Sequence, residues 1–297
     1  MIWVTWRQQR LQILAVFGIV AVISAVLVYV RSQAAALLPD VALVSDTYNI
    51  FLQYFVLLLM ALPALLGMFF GAPLFAREIE QGTHVFGLTQ SVGRTRWIVT
   101  KAAMAGGSLG LAMLILGLVA AWALKPVNFV MQGRLATGLF ESQGVVVAGY
   151  AVMAFAVGAT AGLVLRNTLA AMVITLILYT LVVMTVSNNI RKSYAEPEYF
   201  QQPIGARGGR MEPMESWLVD YGYVAADGTR VSTEPSFCNR EEDRIGCLQA
   251  KGFVASFTRA HLPDQFWRFQ VTELGLFLVL SAGVLGAGAV AARRRLT

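Results

Sequence analysis

Six runs of about twenty apolar residues decide what this chain can fold into. They cover roughly Ile13–Val30, Ile50–Ala76, Ala102–Leu124, Gly144–Leu165, Leu169–Val186 and Val271–Ala292. Each is long enough to cross a hydrocarbon layer as a helix that satisfies its own backbone hydrogen bonds. The runs are continuous rather than alternating, which excludes transmembrane strands. Composition agrees: of 297 residues, 57% are hydrophobic and only 13% charged, against about 25% charged in soluble domains. The first run follows a Trp-containing lead-in and has no small-x-small site near Arg31, so it reads as a span and not a cleaved signal. The expected fold class is an all-α integral membrane protein with six transmembrane helices in one domain, residues 1–297.

Orientation follows from where Lys and Arg sit beside the spans. With the N-terminus inside, the inner face holds Arg7, Arg10, Arg77, Arg94, Arg96, Lys101, Arg166 and Arg293–Arg295, ten basic residues against Glu78 and Glu80. The outer face then holds thirteen basic and fifteen acidic residues. The expected topology is N-in and C-in. The basic residues flank apolar spans, where they meet anionic headgroups of membrane lipids, so the basic balance is no nucleic-acid signal.

The lead-in MIWVTWRQQRLQ, residues 1–12, places Trp3, Trp6 and Arg7 at helical spacing. It reads as an interfacial helix, or else as the first turns of span one. Residues 187–265 form a large outer loop rich in Pro, Gly and charge, with the chain's two cysteines, Cys238 and Cys247. On an outer face a disulfide between them is expected, the alternative being two unpaired thiols. No metal site is expected, since His261 is the one imidazole nearby. Within the loop, GFVASFTRAHLPDQFWRF (252–269) interleaves aromatic and basic residues and reads as a re-entrant or interfacial helix.

Much chemistry is missing. Within the six runs the one charged residue is Glu273, near the outer end of the last. Ion-coupled transport needs buried ionisable groups, intramembrane metalloproteases need His and carboxylate ligands, and channels need charged rings or filter loops. The chain also has no G-x-x-x-x-G-K-[ST] phosphate loop; AGGSLG at 105–110 reads as close helix packing. Energy for moving a substrate must come from a partner.

One segment fits such a partner. Residues 76–101 read AREIEQGTHVFGLTQSVGRTRWIVTK. Arg77, Glu78 and Glu80 follow the end of span two, and Gly82 suits the left-handed residue that ends a helix. A short turn showing Phe86 and Leu88 comes next, and then Arg94, Arg96, Trp97 and Lys101 lead back into the membrane. The pattern suits a knob that docks into another protein; an ordinary positive-inside loop is the alternative.

The stretch GMFFGAPLFAREIEQGTHVFGLTQSVGRTRWIVTK resembles permease subunits of the ABC-2 exporter family, in the form common in actinobacteria. It carries that family's ARE-x-E-x-GT and T-x-S-x-x-R-x-x-W patterns over about 35 residues. The resemblance implies the ABC-2 (type V exporter-like) permease fold, with the large extracellular loop between spans five and six. It implies that 76–101 is a coupling helix seated in a separate ATP-binding subunit. By position, Glu78, Glu80, Gly82, Thr83, His84 and Leu88 are the expected contact region, flanked by Arg94 and Arg96. Val85 stands where many relatives have Arg.

What the resemblance implies is a multi-pass subunit of the bacterial plasma membrane, not itself an enzyme. It would export an amphiphilic or hydrophobic substrate (an antibiotic, peptide or lipid-like molecule) by alternating access, as in drug efflux and resistance. The chain would bind no cofactor; ATP and Mg would sit on two copies of the partner ATPase, beside a second permease, identical or a sister. The other reading is a non-transporting module that senses an extracellular ligand and signals through an associated ATPase. Spans two and five are expected to line the path, with Met68, Phe69, Phe70 and Tyr179 as candidates to face it. Plain helix or lipid contact is the alternative for each.

Overall fold

In the computed structural model, which describes residues 2–38, 40–82, 94–206, 212–232, 238 and 244–295, six helices are long and apolar enough to cross a membrane. They are α1 (Ile2–Leu37), α2 (Val41–Glu80), α3 (Arg94–Ala123), α5 (Val146–Leu165), α6 (Thr168–Thr185) and α8 (Phe266–Arg295). A single-turn helix α4 (Leu139–Ser142) precedes α5, and α7 (Arg244–Ala250) lies between α6 and α8. All six expected apolar runs fall on these helices, apart from short overhangs. α1 is unbroken from Ile2, so the lead-in is continuous with span one.

The axis of the bundle is α5, whose span is 89% buried against 17–56% for the others. It packs on α2, α3, α6 and α8. Its sequence, VVAGYAVMAFAVGATAGLVL, is rich in Gly and Ala, which lets neighbouring backbones approach where hydrophobicity alone gives helices no reason to associate. The contact with α2 is the closest. A Cβ on Gly158 would sit 2.9 Å from the Ala72 backbone nitrogen, and one on Gly162 2.3 Å from the Ala72 carbonyl oxygen. Helix α1 lies at the edge, held to α3: Arg31 donates to the Trp122 carbonyl at 2.6 Å, and Gln9 to the Lys101 carbonyl at 3.4 Å.

The bundle has two ends. One gathers the end of α2 with the starts of α3 and α6, including Arg77, Arg96, Lys101 and Arg166, and is called the basic end. The other carries a four-stranded antiparallel sheet in the order β1-β4-β2-β3, formed by β1 (Glu198–Pro203), β2 (Trp217–Ala225), β3 (Arg230–Val231) and β4 (Phe253–His261). This corrects the all-α expectation. The stretch 252–269 is not an interfacial helix: it is β4, a 3-10 turn at Pro263–Gln265 and the start of α8. In FVASF, Ala255 and Phe257 are buried while Val254 between Phe253 and Ala255 is exposed, a period of two and not of 3.6. Cys238 and Cys247 are joined by a disulfide with a Cα–Cα distance of 5.8 Å, tying the turn at 238 to α7.

His261, at the end of β4, fastens the sheet to the bundle. Its Nε2 lies 3.1 Å from the Lys192 carbonyl beyond α6, and its Nδ1 3.1 Å from the Gln265 side-chain amide. Its ring packs against Trp217 and Phe269. Burial pushes this imidazole below its usual pKa, against the opposing pull of the two hydrogen bonds.

Candidate functional site

The site begins where the helices meet at the basic end. Helix α2 stops as the sequence predicts: Gln81 donates to the Arg77 carbonyl at 3.0 Å, and Gly82 takes the left-handed conformation with φ 69°. The last residue of α2, Glu80, reaches across to the start of α6. It accepts from the Thr168 backbone N–H at 2.9 Å and from the Thr168 hydroxyl at 2.8 Å. The N–H groups of a helix's first turn lack intrahelical acceptors, so a carboxylate is well placed there. Glu78 instead pairs with Lys101 on α3, a buried ammonium that also sits 5.3 Å from the Trp97 ring.

Both acidic residues thus have partners within the chain, and Glu80 is exposed all the same. They clamp α2 to α6 and to α3. Arg96 is exposed at the start of α3, and Arg94 opens that helix. Thr83, His84 and Leu88 lie outside the described residues.

Toward the sheet end, α2 and α6 part and leave an apolar cavity of about 270 Å³. Leu57, Met60, Ala61, Ala64 and Leu65 of α2 face Leu176, Thr180, Val183 and Met184 of α6 across it. These α2 residues flank Pro63, one of two prolines inside that 40-residue helix. Tyr150, Tyr179 and Glu141 close its inner wall. Of the four expected path residues, Tyr179 alone lines this cavity. Met68 and Phe70 are buried in helix contacts, and Phe69 is exposed on the outer surface.

Behind Glu141 lies a cluster that the apolar runs do not reveal. Helix α6 continues through a π turn (Val186–Ile190) that delivers Arg191 into the bundle, fully buried. Its Nη1 donates to Glu141 at 2.6 Å, and its Nε and Nη2 donate to the two oxygens of Glu273 on α8, both at 2.9 Å. Ser187 donates to Glu141 at 2.7 Å and Tyr150 donates to Glu273. The guanidinium also lies 4.1 Å from the Phe140 ring centroid.

Glu141 gets there because the connection after α3 folds inward. Gly138 and Gly144 both have positive φ, and the Gly144 N–H bonds the Gly117 carbonyl at 2.7 Å. Gln270 of α8 then accepts from the Val146 N–H at 2.9 Å and donates to the Phe140 carbonyl at 3.2 Å. Buried charges are tolerated when paired and fully hydrogen-bonded. Two carboxylates against one guanidinium still leave one negative charge over. The expectation that the spans hold almost no ionisable group is corrected accordingly: Lys101, Glu141, Arg191 and Glu273 are all buried in or beside them.

The family described as ABC-2 membrane transporter related matches residues 17–191. The chain belongs to that family. No curated protein and no solved structure matches it. The matched ABC-2 segment runs from α1 to the buried Arg191 and takes in the Glu80–Thr168 clamp and the cavity's α2 and α6 walls. With six apolar helices, this ABC-2 chain is a multi-pass protein of the bacterial plasma membrane. ABC-2 permeases work with an ATP-binding subunit, and this chain carries no ATPase motif of its own.

Proposed function

We propose that this chain is the permease subunit of an ATP-driven exporter that moves an amphiphilic substrate through alternating access. The basic end faces the cytoplasm, as the distribution of Lys and Arg favours, and the sheet, with the nearby disulfide, faces outside, where thiols oxidise. Residues 76–101 form the coupling segment that receives the ATP-binding subunit. Two permeases, identical or sister, pair above two such subunits.

One observation carries this reading. The helices joined at the basic end by Glu80 and Thr168 are the same two helices that bound the cavity 270 Å³ in size farther up. A force on the coupling segment therefore reaches both cavity walls. Pro73 lies between Glu80 and the cavity-lining stretch of α2 and Pro63 within that stretch, and a proline inside a helix, lacking an N–H, is where that helix bends most cheaply. Closure of the ATPase pair rocks α2 against α6 and changes access to the space between them.

The sheet favours a second reading, in which the same clamp reports ligand binding at the sheet without moving anything. Its attachment through His261 to the end of α6 supplies the route. Reconstitution with the ATP-binding partner in liposomes separates the two. Export requires ATP-dependent flux of an amphiphile. Stimulated hydrolysis with no flux of any candidate sinks the export reading and supports the sensing one.

A further inference from the structure

We infer that the cavity between α2 and α6 binds a cationic amphiphile, with its charge at Glu141 and its apolar body along Ala61, Leu65 and Leu176. The inference rests on the permease reading above and assigns the chemical class of its ligand. Three observations carry it.

First, the polar wall of the cavity is negative. Glu141, Arg191 and Glu273 form one buried cluster with two carboxylates and one guanidinium. Glu141 is the charged member that lines the cavity. The nearby Arg134 does not balance it: that guanidinium donates to the Pro263 carbonyl at 2.7 Å and lies 4.7 Å from the Phe266 ring centroid, with Glu215 and Asp264 as its own acidic neighbours. An unbalanced charge in an apolar surrounding acts strongly on any ion that enters, because little water screens it.

Second, Tyr179 is 6% exposed and lines the same cavity, and its hydroxyl makes no hydrogen bond with any described residue. A phenol buried this far normally has a partner. Its position offers one to a ligand. Tyr150 and Tyr179 line the cavity together with the carboxylate, and aromatic rings attract cations.

Third, apart from Thr180 the rest of the lining is apolar, so a small hydrated ion would gain little from it. A cation attached to an apolar body satisfies both halves. The cavity of about 430 Å³ between α3, α5 and α8, lined by Phe75, Gly107 and Leu285 among others, has no charged residue among the described residues of its wall and serves as the internal comparison.

The test is protection from alkylation on the full chain in lipid nanodiscs. The two native cysteines are disulfide-bonded, so a single introduced thiol reports alone. Thr180→Cys places it in the α2–α6 cavity, and Ala103→Cys in the comparison cavity. Tetraphenylphosphonium is expected to slow maleimide labelling of Thr180→Cys saturably, by at least about tenfold, and to leave Ala103→Cys unchanged. Tetraphenylborate, of similar size and opposite charge, is expected not to protect. Glu141→Gln should abolish protection; Tyr179→Phe, which leaves the charge cluster intact, should weaken it.

Absence of protection by the cation, equal protection by both ions, or equal effects at both cavities would overturn the assignment. If Glu141→Gln does not fold, the ion comparison and Tyr179→Phe still decide. The permease is assayed alone, so loss of the ATP-binding partner would refute the coupling reading and leave this result standing. Conversely, a complex that hydrolyses ATP but shows no protection refutes only the ligand class.

Discussion

Glu80 accepts both the backbone N–H and the hydroxyl of Thr168, so the last turn of α2 is fastened to the first turn of α6. The hydrogen bonds are exposed to solvent and contribute little to overall stability. Their value lies in what they connect, since these helices form the two sides of the cavity.

Replacing Glu80 should therefore separate folding from coupling. Glu80→Ala is expected to insert and unfold at nearly the wild-type temperature, while substrate-stimulated ATP turnover of the reconstituted complex falls several-fold. Glu80→Gln, which keeps one acceptor, should lie between. Thermal unfolding and ATPase activity on the same preparations check this. A parallel loss of both would make the contact merely structural.

Arg191 tests the opposite case, a charge contact that holds the fold. Arg191→Ala leaves two carboxylates buried without their shared cation, which costs about 3–5 kcal/mol in comparable sites. Its melting temperature in detergent is expected to drop by on the order of 10 °C. Combining Arg191→Met with Glu141→Gln and Glu273→Gln should recover much of that loss, because no charge is then left unpaired. A triple variant no better than Arg191→Ala would contradict this account of the cluster.

The α2–α5 contact admits no added volume. Gly162→Val would drive a side chain into the Ala72 carbonyl, 2.3 Å from where its Cβ must lie. Overpacking of this kind costs about 1–3 kcal/mol. Gly107→Val, at a position with nothing within 4 Å of the added Cβ, should be nearly neutral. Comparing the two unfolding curves checks the contact.

These contrasts mark what a sequence can and cannot show. The spans were legible because apolar length is a local property, and Gly82 was legible because a left-handed helix end has few residue choices. Glu141 and Arg191 were not, since each lies just outside an apolar run and looks like loop. A π turn after Thr185 and a glycine-hinged fold at Gly138 and Gly144 bring them together across 50 positions. The hint that remained was local: Glu141 follows Leu139-Phe140 and Arg191 follows Ile190, polar residues with apolar neighbours. The strand at 253–261 is not legible in the sequence, because interleaved aromatic and basic residues fit both an interfacial helix and an alternating strand.

His261 should make the sheet's attachment sensitive to acid. Its folded pKa lies below the usual value near 6.5, so between the two the unfolded state binds more protons. Stability is then lost as pH falls through about 6.5 and stays constant above it. Trp217, whose ring centroid is 5.5 Å from that of His261, reports the change by fluorescence. The expected result is a lower unfolding midpoint at pH 5 than at pH 7.5, with the difference reduced in His261→Gln. An unchanged difference in that variant would place the acid sensitivity elsewhere.

The central claim is that this chain works as the membrane half of an ATP-driven machine, and its most direct measurement is the composition of the complex it forms. Purified from its native membrane in mild detergent, the full chain should bring with it one ATP-binding subunit per permease. Recovery of intact, folded permease with no ATP-binding chain at stoichiometric level would contradict the account.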